Sequence, residues 1–397
     1  MRQLIRSMLV RSCGIAAAAI AVMATAPAAH AGAVYPIAEP DGFYYAPGNL
    51  GDSAPGDVLR SRLMPANPWP GATVWQLLFH STNSSGGPIA AVTTLIVPGP
   101  GPHPLVSYQP FVNSLGMQCA PSHALFDGGL KESGALELLL ARGWAVAVPD
   151  HLGPTSAYGA ARLGGQITLD GIRAAERFAP AGLGNSPVGM VGYSGGAMAT
   201  GFAAALAPTY APELPIVGFA DGGVPVNPGK IAIDVGDVPH PLFGLGFAVA
   251  VGMEREYPDA LPLDNALTPA GFAMRDRIAN SCVDDIISAG AGHTIGEMFH
   301  RGIENDPTLI GAFHDNALEI YPGVPRVPMY EWHGGNDQVP LDLALNTAGR
   351  YCAAGTPVQF DIIPGADHGT AIFPGAVKAV SYLSDRFAGV PPPSNCR

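Results

Sequence analysis

The chain has 397 residues and a formal net charge of −12 at pH 7, with 48% hydrophobic and 13% charged residues. Such an acidic chain is not expected to bind DNA, RNA or an anionic membrane through charge, and its low charged fraction excludes a largely disordered protein. The length suits one large α/β domain with a sizeable insertion.

Residues 1–31 have the order of a secretory signal peptide. Three arginines precede an apolar run at 14–28, and residues 29–31 read Ala-His-Ala, the small-residue pattern of a cleavage site. The apolar run is short for a membrane span, and no other stretch of the sequence qualifies. The sequence therefore predicts a secreted protein whose mature chain begins near Gly32; a retained N-terminal anchor is the alternative.

After the leader, strand-like runs lie at 72–79, 89–97, 105–109, 144–149, 188–193, 216–220, 328–333 and 358–363. Helix-like runs lie at 135–141, 167–178, 195–207, 341–354 and 371–387. Alternating strands and helices predict an α/β fold, a mostly parallel central sheet with helices on both faces. The first two strands have no helix between them, which favours an antiparallel edge. Residues 32–69, rich in Pro, Gly and Tyr, read as an irregular lead-in.

The interval 222–326 breaks the alternation. It has helix-like stretches, prolines and an apolar run at 242–251, but no strong strand signal. Because a structureless loop of that length is improbable in a compact domain, we interpret it as a helical cap or lid inserted into a core formed by 32–221 and 327–397. Extra helices belonging to the core are the alternative.

One pentapeptide indicates the chemistry. Gly192-Tyr193-Ser194-Gly195-Gly196 lies between a strand-like and a helix-like run, which is the setting of a nucleophile elbow. With 51 glycines in the chain, the Gly-x-Ser-x-Gly pattern alone is weak, and an ordinary glycine-rich turn is the alternative. The flanking strand and helix favour a serine nucleophile that forms a covalent ester.

A serine nucleophile needs a histidine as its base and a carboxylic acid that orients the histidine. After a nucleophile elbow, the Asp or Glu comes next in the chain and the His comes last. His368 comes just after the strand at 358–363, and Asp337 just after the strand at 328–333. Asp367 competes as the acid, but it adjoins the base and cannot easily fold back onto its imidazole. His333 is interpreted as a packed residue at a strand end.

The reaction also needs donors for an oxyanion. The elbow supplies the backbone N–H of Gly195. The second donor is expected in the loop after the strand at 105–109, where we choose Asn113.

Four cysteines follow the leader, and an even number in a secreted chain predicts two disulfides. They are Cys119, Cys282, Cys352 and Cys396. The residues alone leave all three pairings open. None has Cys-x-x-Cys spacing, and the histidines at 293–300 do not have zincin spacing, so we expect no metal site.

Taken together, these segments resemble the secretory lipase family, which contains the fungal lipase A type and its actinobacterial relatives. The matching segments are Ser107-Tyr108-Gln109, Cys119-Ala120-Pro121-Ser122, Pro149-Asp150-His151-Leu152-Gly153, Leu169-Asp170-Gly171-Ile172-Arg173-Ala174, the elbow, Trp332-His333 to Asp337-Gln338-Val339-Pro340, and Asp367-His368-Gly369-Thr370-Ala371. Their order and spacing span nearly the whole mature chain.

The resemblance implies an α/β-hydrolase core with a helical cap, and it implies Ser194, Asp337 and His368 as the triad. It also implies oxyanion donors at Gly195 and at the position of Asn113. The lipase A type carries an aspartate at the latter position, so this chain lacks a titratable group there. The disulfides that the resemblance implies are Cys119–Cys282 and Cys352–Cys396.

The prediction is a secreted serine carboxylic-ester hydrolase, a triacylglycerol lipase or a lipase-like esterase, that works without a cofactor. Its partners are a lipid or small ester substrate and a transient lipid interface, with no nucleic acid and no obligate protein partner. The main alternative is an acyltransferase on cell-envelope lipids or glycolipids that uses the same triad. A serine peptidase and a non-enzymatic binding protein with the same fold are further alternatives.

Overall fold

A nine-stranded sheet runs through the described part of the chain, which in this computed structural model comprises residues 32–300 and 307–396. The predicted leader at 1–31 lies outside the described residues. The strands are β1 Val58–Leu63, β2 Thr73–Thr82, β3 Pro88–Val97, β4 Leu105–Gln109, β5 Ala145–Pro149, β6 Val188–Tyr193, β7 Ile216–Gly222, β8 Met329–Gly334 and β9 Val358–Ile363.

The strand order is β1-β2-β3-β5-β4-β6-β7-β8-β9. Pairing is antiparallel from β1 through β2 and β3 to β5, and parallel from β5 through β4 to β9. The predicted antiparallel edge and mostly parallel sheet are confirmed. Because the carboxyl ends of parallel strands meet at one edge of a sheet, the loops after β4, β6 and β8 come together there.

The prediction of an irregular segment at 32–69 is wrong at β1. This strand reads Val-Leu-Arg-Ser-Arg-Leu, is only partly buried and pairs with β2 alone. Arg62 donates through Nε to Gln76 Oε1 at 2.7 Å. An edge strand with polar side chains has little hydrophobic signal, which explains why the sequence pattern did not reveal it.

Helices cover both faces of the sheet. They are α1 Pro121–Asp127, α2 Ser133–Leu140, α3 Ala161–Arg177, α4 Gly195–Tyr210, α5 Pro228–Val235, α6 Phe243–Glu256, α7 Pro269–Ile278, α8 Val283–Gly290, α9 Ile295–Met298, α10 Pro307–His314, α11 Leu341–Ala353 and α12 Ile372–Phe387. Within the described ranges no helix is long and apolar enough to cross a membrane.

Helix α3 begins six residues before the predicted start at 167. Its first turns contain Gly164 and Gly165, which lower helix propensity and hide the helix from sequence patterns. A Cβ at Gly165 would lie 2.8 Å from the backbone nitrogen of Ala203, and one at Gly164 would lie 2.9 Å from Ala199 Cβ. The two glycines therefore let α3 pack closely against α4, the helix that follows the elbow.

The helices α5 to α10 all lie between β7 and β8, and the hydrophobic cluster that contains α6, α7 and α8 also contains Tyr158 and the start of α3. Arg255 of α6 is only 3% exposed, and its side chain attaches α6 to this region. Its guanidinium donates to five backbone carbonyl oxygens, those of Val34, Leu115, Thr155, Ser156 and Ala279. The description of 222–326 as a separate cap remains a prediction.

Two disulfides join distant parts of the described chain. Cys119, beside α1, is bonded to Cys282, the residue before α8. Cys352 in α11 is bonded to Cys396. These are the pairs that the family resemblance implies, and the first links the helical segment to the chain that follows β4.

Candidate active site

Ser194 lies on a strained turn between β6 and α4. Its backbone angles are φ 52° and ψ −120°, a region that residues with a side chain rarely occupy. Its N–H donates to the carbonyl oxygen of Gly222 at 2.8 Å, which fixes the turn to the neighbouring strand β7. The strained angles and the exposed end of the strand match a nucleophile elbow.

The glycines around Ser194 are required by close packing. A Cβ at Gly196 would lie 1.9 Å from the carbonyl oxygen of Gln109, and a Cβ at Gly192 would lie 2.5 Å from Thr200 Oγ1. Both distances are shorter than any real contact between such atoms. The Gly-x-Ser-x-Gly pattern is therefore a packing requirement of this turn and not a product of glycine-rich composition.

A histidine and an aspartate from two separate loops meet Ser194. His368 Nε2 lies 2.8 Å from Ser194 Oγ, and His368 Nδ1 lies 2.8 Å from Asp337 Oδ1. Asp337 follows β8 and His368 follows β9, so the side chains reach one point from the ends of three parallel strands. A histidine with a carboxylate on Nδ1 is oriented to accept a proton at Nε2 from the serine hydroxyl.

Asp337 is held in the ionised form. Its side chain is fully buried, which by itself would raise its pKa, but the hydrogen bond and charge of His368 and the N–H of Val339 outweigh burial, so the pKa lies below its usual range. The Val339 N–H donates to Asp337 Oδ1 at 2.8 Å. The carboxylate is therefore available to stabilise an imidazolium at neutral pH.

A stack of aromatic rings supports the histidine from below. The ring of Tyr193 lies 5.1 Å from that of His368, and its hydroxyl donates to the His368 carbonyl oxygen. Trp332 stacks on Tyr193 with centroids 5.7 Å apart, and Tyr330 stacks on Trp332 at 5.8 Å. Sequence reasoning missed this support; the only signal was the run of aromatic residues in the eighth strand.

Two other candidates from the sequence have structural contacts instead. His333 is fully buried, and its Nε2 donates to the Val339 carbonyl oxygen at 2.9 Å. Asp367 accepts hydrogen bonds from the N–H and hydroxyl of Thr370, and these lower its pKa. Among the described residues, neither forms a hydrogen bond or ion pair with Ser194, whereas His368 contacts both Ser194 and Asp337.

Residues 110–114, which follow β4, form a loop beside the elbow that we name the oxyanion loop. Within it Asn113 has a φ of +48°, a left-handed conformation that asparagine tolerates better than most residues. Asn113 is 7% exposed, and its Oδ1 would lie 2.0 Å from a Cβ at Gly195. The two residues chosen from the sequence as oxyanion donors are therefore adjacent.

Gly195 is the first residue of α4, so its N–H has no partner within that helix and faces the positive end of the helix dipole. Asn113 Oδ1 is buried and without a hydrogen-bond partner among the described residues. The N–H of Gly195 at the helix N-terminus favours binding of a polar, partly negative atom, whereas Asn113 Oδ1 is an acceptor and can bind only a donor.

A small pocket lies against Gly195. Its lining is mostly small and apolar, and consists of His151, Leu152, Tyr158, Gly159, Ala160, Ala161, Gly164, Gly195, Met198 and Ala199. Helix α6 packs closely against Tyr158 of this lining, because a Cβ at Gly252 would lie 2.2 Å from the Tyr158 carbonyl oxygen. In the part of the chain that is described, no group of three or more His, Cys, Asp or Glu side chains is placed to hold a metal ion.

Comparison with known proteins places this geometry in a family. The family model for secretory lipases matches residues 131–395. A secreted triacylglycerol lipase of Malassezia globosa is 32% identical over 374 residues, which cover 88% of this chain and 79% of the relative. A protein of Mycobacterium tuberculosis named as a probable inactive lipase is 33% identical over 383 residues, which cover 88% of this chain and 82% of the relative.

The fold is similar to that of a solved lipase. The crystal structure of Candida antarctica lipase A in its closed state superposes with a TM-score of 0.84 and 28% sequence identity, over 90% of each chain. The sequence matches and the superposition confirm the resemblance and the α/β-hydrolase fold predicted from the sequence. This chain belongs to the secretory lipase family.

Proposed function

We propose that this chain is a secreted serine carboxylic-ester hydrolase that cleaves triacylglycerols or simpler lipid esters. The observation that carries the proposal is the contact of His368 with both Ser194 Oγ and Asp337 Oδ1, each at 2.8 Å, at a strained turn. Membership of the secretory lipase family supports the same activity. All three positions of a Ser-His-Asp triad are filled in this chain.

In the first half of the reaction, Ser194 Oγ attacks the ester carbonyl carbon while His368 Nε2 takes the hydroxyl proton. The carbonyl oxygen becomes negative and is bound by the backbone N–H groups of Gly195 and Asn113. His368 then passes its proton to the departing alcohol, which leaves an acyl ester on Ser194. Asp337 holds the imidazole by Nδ1 and stabilises its positive charge throughout.

In the second half, His368 takes a proton from water, and the resulting nucleophile attacks the acyl ester. The same N–H groups bind the second oxyanion, and the proton on His368 returns to Ser194 Oγ as the fatty acid leaves. No cofactor takes part in either half.

The surroundings of the nucleophile support an apolar acyl group. The pocket against Gly195 is lined mainly by alanine, glycine, leucine and methionine, which offer an acyl chain few polar groups. Helix α6 of the segment 222–326, which we propose as a cap, packs against Tyr158 and Gly159 of this lining. The cap would have to open at a lipid interface to admit a long ester.

Export completes the proposal. The leader at 1–31 is proposed as a cleaved signal peptide, since its sequence has the charge, apolar and cleavage regions of one. The two disulfides fit an oxidising compartment outside the cytoplasm.

The test is hydrolysis of an ester series of increasing acyl length, in monomeric and emulsified form, by the chain and by Ser194→Ala. We expect the variant to keep its thermal transition and lose at least about 10⁴-fold in kcat, because the covalent step is removed. Ser186→Ala is the matched control, a serine at a turn outside the site, and should retain activity. Turnover by Ser194→Ala close to that of the unaltered chain would refute the mechanism.

Product analysis separates hydrolysis from acyl transfer. With a competing alcohol or sugar present, a hydrolase releases mainly free fatty acid, and the fatty acid should remain the main product. Preferential formation of a new ester at low alcohol concentration would replace the hydrolase proposal with an acyltransferase that uses the same three residues.

A further inference from the structure

Two buried side chains from distant parts of the chain hold the oxyanion loop. His151 Nε2 donates to the carbonyl oxygen of Pro110 at 2.8 Å, and the N–H of Phe111 donates to Glu132 Oε2 at 2.6 Å. His151 is 2% exposed and Glu132 is 7% exposed. The backbone is thus fixed at two consecutive residues, immediately before the turn that contains Asn113.

Glu132 does not cap the helix that it begins. It is the N-cap residue of α2, where a carboxylate commonly accepts a hydrogen bond from the first N–H groups of its own helix. Its side chain makes no such bond and reaches instead to Phe111, 21 residues earlier in the chain. Burying a carboxyl group is costly unless it forms hydrogen bonds, so the contact with the loop is the compensating interaction.

Two tyrosine side chains lie near Glu132. The Tyr108 hydroxyl from β4 donates a long hydrogen bond of 3.5 Å to the Glu132 carbonyl oxygen, and Tyr193 from β6 lies close enough for the Glu132 charge to raise its pKa, after burial and Asp337. Burial raises the pKa of Glu132 to about 8, although the Phe111 N–H and Tyr108 oppose it. At pH 7 the group is therefore mainly a neutral acid that can still accept the Phe111 N–H.

We propose that Glu132 is a positioning residue for ester hydrolysis, which holds the oxyanion loop through Phe111 and so places the Asn113 N–H opposite that of Gly195. This inference rests on the proposed function, since the place of the Asn113 N–H matters only if it binds an oxyanion. A displacement on the order of 1 Å at such a donor costs on the order of 10²-fold in rate. Because the oxyanion forms only as the reaction proceeds, the loss falls on kcat and leaves KM nearly unchanged.

The test measures kcat and KM of three Glu132 variants and one control variant, on one soluble short-chain ester at pH 7. Glu132→Gln keeps an oxygen acceptor of the same reach and should retain kcat within about threefold. Glu132→Ala removes the acceptor and should lower kcat by about 10- to 100-fold, with KM changed less than threefold. Glu132→Asp keeps the acid but shortens its reach, and should fall between them. Glu137→Ala, on the exposed face of α2, is the control and should match the unaltered chain.

Titration with a fluorophosphonate counts the active molecules, so that kcat refers to folded enzyme even where a variant is partly unfolded. A kcat for Glu132→Ala within twofold of Glu137→Ala would overturn the proposal, as would an equal loss in Glu132→Gln and Glu132→Ala. If Glu132→Ala does not fold, the kcat of Glu132→Asp is compared with that of Glu132→Gln. A lower kcat in Glu132→Asp supports the proposal, and equal kcat values overturn it. An unaltered chain that neither hydrolyses esters nor reacts with the probe would instead refute the proposed function.

Discussion

At the scale of single residues, the site depends on two left-handed backbone positions that are not glycine. Ser194 and Asn113 have φ values of 52° and 48°, and both lie next to Gly195. Such strain persists only where surrounding contacts determine it, and here the close approach of Gly196 to Gln109 does so. The strained geometry is therefore held ready before any substrate arrives.

Asn113 provides a test of which atom binds the oxyanion. If the backbone N–H is the donor, Asn113→Ala should lower kcat by about tenfold or less, because only the side-chain amide and the preference for positive φ are lost. The measurement is kcat on a soluble ester beside Ser194→Ala. A loss as large as that of Ser194→Ala would instead show that the amide itself is the donor.

At the scale of helices and strands, the sequence predicted most of the sheet because buried parallel strands form continuous apolar runs. The order of Ser194, Asp337 and His368 after three such strands was enough to predict that these three side chains meet. The sequence could not reveal β1, whose arginines mask an edge strand, or the first turns of α3, whose glycines serve packing against α4.

Other features of the site arise only from tertiary contacts. The hydrogen bond from Phe111 to Glu132 joins residues 21 positions apart, and no local pattern distinguishes Glu132 from a solvent-exposed glutamate at a helix start. The stacking of Tyr193 on Trp332 likewise depends on the sheet, in which β6 and β8 lie on either side of β7. Chain order thus predicts which residues meet at the ends of the strands, while the residues that support them require the fold.

Helix α6 depends on one buried cation. Five carbonyl oxygens accept hydrogen bonds from Arg255, and burial lowers the pKa of the guanidinium to about 10, so it remains charged at pH 7. Arg255→Lys keeps the charge but cannot donate in so many directions. We expect it to reduce the free energy of unfolding by at least about 2 kcal/mol, because buried carbonyl groups lose their donors.

Denaturant unfolding with the disulfides intact measures this loss, and Arg277→Lys on the exposed face of α7 is the matched control. Equal stability of the two variants would mean that the buried guanidinium contributes nothing specific to the attachment of α6.

At the scale of the whole molecule, one pair of acids opposes stability at neutral pH. Asp221 and Glu331 are fully buried and face each other as partners on β7 and β8. None of their four carboxylate oxygens has a hydrogen-bond partner among the described residues. Burial raises the pKa of both groups well above the usual range, and the charge of Asp221 raises that of Glu331 further.

The sign of the pH effect follows from the raised pKa values. The folded chain keeps protons on this pair that the unfolded chain releases above about pH 4, so stability falls as pH rises from there towards the folded pKa values. Glu331→Gln removes one ionisation and should raise the free energy of unfolding at pH 8 by at least about 1 kcal/mol, the equivalent of one pKa unit. Denaturant unfolding from pH 5 to pH 8 should also show a smaller slope in the variant.

Glu137→Gln, at an exposed acid on α2, serves as the control for this comparison. If Glu331→Gln lost as much free energy of unfolding between pH 5 and pH 8 as the unaltered chain does, the buried acids would not be the source of this pH dependence.

Ester hydrolysis by this chain requires that the hydroxyl of Ser194 be the nucleophile, with His368 Nε2 taking its proton. Covalent labelling with a fluorophosphonate, followed by peptide mass spectrometry, tests this most directly. We predict a single adduct on Ser194 whose formation is abolished in Ser194→Ala and slowed in Asp337→Asn. An unlabelled Ser194 in the folded chain, or an adduct on a different serine with ester hydrolysis intact, would contradict the account.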